Sequence, residues 1–117
     1  MENLDLVGDK EKELASEWFQ SLRDQICNEF EKLEIEQSTG PYSDLKPGKF
    51  ERKETHRSSE TGDDGGGGVM SVMRLGRLFE KVGVNISTVY GTLGEAAQKS
   101  ISARNNIPDL DKDPRFW

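Results

Sequence analysis

The sequence predicts an α+β fold, with a long N-terminal helix followed by antiparallel strands. Two patterns predict it: apolar residues at three- and four-residue spacings early in the chain, and apolar–polar alternation beyond a run of four glycines. Over residues 9–35, Leu14, Trp18, Phe19, Leu22, Ile26, Cys27, Phe30 and Leu33 draw one stripe on an α-helix. Glu13, Glu17, Arg23, Asp24, Glu31 and Lys32 are expected on the opposite, solvated side, and Asp9, Glu11 and Lys12 mark the opening turn. At roughly 1.5 Å per residue this helix would be about 40 Å long, more than its own packing needs, so something else should cover its apolar face.

Residues 38–64 read as a connector with a possible short strand. Ser38, Thr39, Gly40 and Pro41, then Lys46, Pro47 and Gly48, supply two turns. The strand would begin at Phe50, the one large apolar residue of its segment. Residues 57–64 are polar and acidic and lead into Gly65, Gly66, Gly67 and Gly68, where the chain must bend or slide closely past a neighbour. Residues 65–91 are expected to hold this glycine run and three short strands, over 69–73, 75–83 and 84–91. In the last, Val84, Ile86 and Thr88 point one way and Asn85, Ser87 and Val89 the other, as in an antiparallel sheet with one solvent or cleft side. Residues 92–117 predict a surface helix near Glu95 to Ile101 and an acidic turn. The terminal Phe116 and Trp117, with no later chain to pack against, read as a sign of truncation.

The bulk numbers narrow the function classes. The 117 residues fit one domain or a piece of a larger one. Hydrophobic residues make up only 32%, so an independent core would be thin. A net charge of −6 opposes nucleic acid and anionic membrane surfaces. The single cysteine, Cys27, has no intrachain disulfide partner and fits a reducing, cytoplasmic setting. The first ten residues lack a basic start and an apolar run, and no stretch approaches a membrane span, so a soluble protein is expected.

No motif reaches the specificity of a catalytic or metal site. The glycine run is followed by Val69, Met70, Ser71, Val72 and Met73 rather than by Gly-Lys-Ser/Thr and a helix, which disfavours a phosphate loop. His56 is the only histidine and is read as solvent-exposed; Cys27, on the helix stripe, is read as core. Asp63, Asp64, Asp109, Asp111 and Asp113 lack the order of a calcium loop, since Pro114 and a missing glycine break it. The sequence therefore offers no catalytic or metal-ligating residue and leaves the substrate-binding residues unknown.

Taken together, Gly65 through Met73, then Leu78, Phe79, Glu80 and Lys81, then Val82, Gly83, Val84, Asn85, Ile86 and Ser87, closely resemble the oxygen-dependent coproporphyrinogen-III oxidases. Phe50 to Lys53, the helix with Trp18, Phe19, Phe30 and Glu31, and Asp113 to Trp117 extend the likeness over most of the chain. Thr55, where many members have Trp, Tyr90, where a His commonly stands, and a long polar stretch before the glycines depart from it. The resemblance implies that residues 1–117 are the N-terminal portion of a single larger domain, with a long helix and the first antiparallel strands of a larger sheet flanked by helices. It further implies a cytoplasmic homodimer that acts on a porphyrinogen substrate, with molecular oxygen as co-substrate and no organic cofactor. The family's catalytic segments have no counterpart among these residues. Asn85, Ser87 and Arg77 are the first places to look for cleft exposure. The competing class is an interaction module whose helix lays Trp18, Phe19, Leu22, Ile26 and Phe30 into a partner groove.

Overall fold

A computed structural model describes residues 8–59 and 62–117. Most of the N-terminal leader reading, and positions 60 and 61 of the polar stretch, lie outside the described residues.

Helix α1 spans Asp9–Glu36, 28 residues or about 42 Å, with Asp9 and Glu11 in its first turn, where carboxylates favour the helix dipole. The connector follows, turning at residues 41–44. Strands β1 (Glu51–Ser58), β2 (Asp64–Arg74) and β3 (Lys81–Val89) form an antiparallel sheet in the order β1-β2-β3. A second, two-stranded pairing joins β4 (Gly91–Thr92) to β5 (Arg115–Phe116), with α2 (Glu95–Arg104) between them in sequence.

Register decides which side chains meet. Met73 pairs with Val82, Ser71 with Val84 and Val69 with Ile86, so these share one face of the sheet; Met70 and Asn85 stand on the other. α1 lies on the first face. Beneath it Met73 and Cys27 are buried, and Phe30 meets the rings of Phe79 (4.9 Å between centroids) and Phe50 (6.3 Å) edge-on. The alternation expected for residues 84–89 is present, and the strand beginning near Phe50 runs on to Ser58.

Of the two readings of the glycine run, close passage is the one realised: Gly65 through Gly68 lie inside β2, with Gly66, Gly67 and Gly68 paired to β3 and Gly67 and Gly68 also to β1. Two expectations are corrected. Residues 65–89 hold two strands, β2 and β3, and 75–83 is not a strand of its own. Residues 75–80 form the β2–β3 turn, opened by Leu75 at φ 54° and closed by the Leu75 N–H donating to Glu80 O and the Gly76 N–H to Phe79 O. The helix stripe is also rotated from its expected setting. Arg23, expected on the solvated side, is buried, whereas Leu14, Trp18 and Phe19 are more than half exposed. The sheet side takes the line of Arg23, Cys27, Phe30 and Glu34, where Glu34 supplies an acceptor for Gly48 and the β2–β3 turn that the apolar stripe lacks.

α2 is a surface helix, as predicted, with no buried residue. The molecule is elongated at 62 × 29 × 28 Å, with a radius of gyration of 19.8 Å against about 13 Å for a compact chain of this length. Among the described residues no helix is long and apolar enough to cross a membrane.

Candidate functional site

The two ends of the three-stranded sheet are built differently. At the β2–β3 turn, the Glu34 carboxylate is fully buried and accepts four backbone hydrogen bonds. Oε1 accepts from Gly48 N (2.7 Å) and Arg77 N (2.5 Å), and Oε2 from Leu78 N (2.6 Å) and Phe79 N (3.0 Å). Burial alone would push this carboxyl up, but the four donors outweigh it and hold Glu34 below the usual carboxylate range. The surrounding glycines are required by space. A Cβ on Gly76 would overlap the Glu34 carboxylate, and one on Gly48 would come within 2.6 Å of Met73 Sδ. Arg77 reinforces the junction, its Nε donating to Leu45 O at 2.6 Å and Nη1 to Gln37 O at 3.4 Å.

At the other end the helix and sheet enclose an open cleft of about 850 Å³. Phe19 and Arg23 from α1, His56 from β1, Ile86 and Thr88 from β3, and Trp117 are among its lining residues. The glycines of β2 also line it. Side chains there would overlap neighbouring backbone: a Cβ on Gly67 runs into Thr55 O and one on Gly68 into Ile86 O. The run therefore lets three strands pair closely and leaves the cleft wall bare.

The rim carries a charge-assisted hydrogen bond. The Tyr90 hydroxyl donates to Asp64 Oδ2, while Asp64 Oδ1 accepts from Gly66 N at 3.0 Å. The Tyr90 bond holds the Asp64 carboxyl below its ordinary value, and the carboxylate pushes the phenol above its own. This pair was not foreseen, although Tyr90 had stood out as a departure from the family pattern. His56 lines the cleft and is solvent-exposed, as read.

Asn85 and Ser87 are among the lining residues, as expected, although the register puts their side chains on the sheet face turned away from α1. Arg77 does not; it serves the opposite end. Cys27 is core, and burial pushes its thiol up, so it stays protonated at neutral pH. Asp109 and Asp113 are engaged by Lys112 and Arg115 respectively, at 3.1 and 2.7 Å. Among the described residues no three His, Cys, Asp or Glu side chains cluster as metal ligands. Glu34 was missed altogether. Its one signal was an acidic residue seven positions after Cys27 and four after Phe30, on the buried line of the helix.

The coproporphyrinogen III oxidase family matches residues 14–115. The chain belongs to that family. An oxygen-dependent coproporphyrinogen-III oxidase of Rickettsia bellii (strain RML369-C) is 48% identical over 111 residues, covering 95% of this chain and 35% of the relative. Those of Rickettsia peacockii (strain Rustic) and Rickettsia felis (strain ATCC VR-1525 / URRWXCal2) are 48% and 47% identical over 108 residues, covering 91% of this chain and 33% of each relative. The chain thus spans about a third of the length of the curated relatives it matches. No solved structure matches it significantly. Membership in the oxidase family agrees with the resemblance drawn from the glycine run and the segment that follows it.

Proposed function

We propose that this chain supplies the helix and first strands of an oxygen-dependent coproporphyrinogen-III oxidase. The observation that carries the reading is 48% identity to such an oxidase across 95% of the chain. In the proposed reaction two propionates of coproporphyrinogen III become vinyl groups. Each loses its carboxyl as carbon dioxide together with two electrons and a proton, and molecular oxygen takes the electrons. No organic cofactor is assigned, so the protein's part is to hold the porphyrinogen and stabilise developing charge.

Within this chain the cleft wall formed by β2 and β3, with Val69, Ile86 and Thr88 on the side facing α1, is the surface assigned to the substrate. It stands on paired strands, a more rigid support than a loop. No catalytic residue is assigned here. The complete enzyme is proposed to be a cytoplasmic homodimer.

A chimera in which this chain replaces the matched third of the Rickettsia bellii relative tests the reading. It should consume oxygen and release carbon dioxide from coproporphyrinogen III. A folded chimera that releases none would rule the assignment out.

A further inference from the structure

Arg23 is a buried cation with too few acceptors. It lies on the line of α1 that faces the sheet and is only 7% exposed. Its Nε donates to Asp24 Oδ1 at 2.8 Å, but the same oxygen accepts from Arg52 Nη2 at 2.6 Å, so two guanidinium groups draw on one carboxylate. Arg23 Nη1 is buried and has no acceptor at all. An unmet donor on a buried charged group costs more than one on a neutral group, and an apolar side chain of similar length would avoid that cost. A helix that keeps arginine here is therefore missing a partner for it.

Arg23 also lines the cleft, on the α1 wall across from Val69 and Ile86. The carboxylates already at the cleft do not serve it. Asp64 is taken by the Tyr90 hydroxyl and Gly66 N, and Glu54, exposed on β1, forms no ion pair with it. Because Nη1 holds no hydrogen bond, turning the end of this flexible side chain towards the cleft breaks none at that atom. The facing wall is bare glycine and apolar side chain, so it brings no acceptor of its own to compete for the cation.

We propose that Arg23 is a carboxylate-binding residue of the cleft and receives one propionate of the porphyrinogen. A planar guanidinium offers paired N–H donors that match the two oxygens of a carboxylate, and the partly enclosed setting strengthens the contact. The ring then lies against the glycine and apolar wall while the charged group reaches across to α1. The identity of the ligand rests on the oxidase reading; the need for a carboxylate rests on Arg23.

The probe is coproporphyrin III, the oxidised form of the substrate, against its tetramethyl ester, which keeps the ring and has no ionised carboxyl. In the chain, Arg23→Gln should weaken binding of the acid at least tenfold and leave binding of the ester within about twofold. Equal losses for acid and ester, or no loss for the acid, overturn the proposal. Should the Gln variant not fold, Arg23→Met, of similar length and with no donor to leave unmet, takes its place with the same expected outcome. In the chimera, Arg23→Gln should raise KM for coproporphyrinogen III at least tenfold. An unchanged KM overturns the proposal, and a melting temperature lowered at the same time identifies a carboxylate side chain of the complete enzyme as the partner instead. Selective loss of acid binding beside an inactive wild-type chimera keeps Arg23 as a carboxylate site and sinks only the oxidase reading.

Discussion

The turn end and the cleft end of one small sheet solve the same problem, holding a long helix against three strands, in opposite ways. At the turn, a buried carboxylate gathers four N–H donors and the packing leaves no room for a Cβ at Gly48 or Gly76. At the cleft, the helix stands off, the strand opposite it is glycine, and the polar groups sit at an exposed rim. The contrast teaches that α1 is pinned at its C-terminal end, so the space near its N-terminal half can stay open without loss of the fold.

Glu34→Ala should break this contrast most severely. It leaves four donors without their acceptor, and urea unfolding should show a loss on the order of 3 kcal/mol or more. Glu34→Gln should lose less, since one carboxamide oxygen still accepts. Gly67→Ala tests the other end. A Cβ there collides with backbone that cannot yield, so β1–β2 pairing should fail around residues 55–67, visible as fast amide exchange, while the turn end keeps its protection.

The third test is a pH titration. The folded pKa of Glu34 lies below its ordinary value of 4.5, so its contribution is fully present above that value and is lost as pH falls towards the folded pKa. Unfolding midpoints should drop on acidification below about 4.5 in the wild type, and less steeply in Glu34→Gln. A smaller effect is expected at Cys27. Its buried, protonated thiol should react slowly with a disulfide reagent at neutral pH and quickly once urea releases the helix.

Much of this architecture was legible in the sequence, because periodicity reports directly on which side chains share a face. α1, the facing set of Val84, Ile86 and Thr88, and the surface helix α2 all follow from spacing alone. The glycine run left two readings, a bend or a close passage, because conformational freedom serves both. Here its use is close strand approach, decided by the neighbours Thr55 and Ile86, which local sequence does not show. Glu34 was illegible for a related reason: its four donors come from residues 48 and 77–79, and charge on a helix ordinarily means solvent. The cleft was partly foreseen through Asn85 and Ser87, whereas Arg77 was misplaced because its acceptors, Leu45 O and Gln37 O, belong to the connector and the end of the helix.

The Glu34 junction also makes the turn amides a gauge of a distant event. Arg77, Leu78 and Phe79 donate to an acceptor more than forty positions earlier in the chain. Their hydrogens can be replaced by deuterium only when the turn and the end of the helix part from each other. Those three signals would therefore time the detachment of α1, a slow, cooperative opening, in a segment whose short length would otherwise suggest rapid local fluctuation.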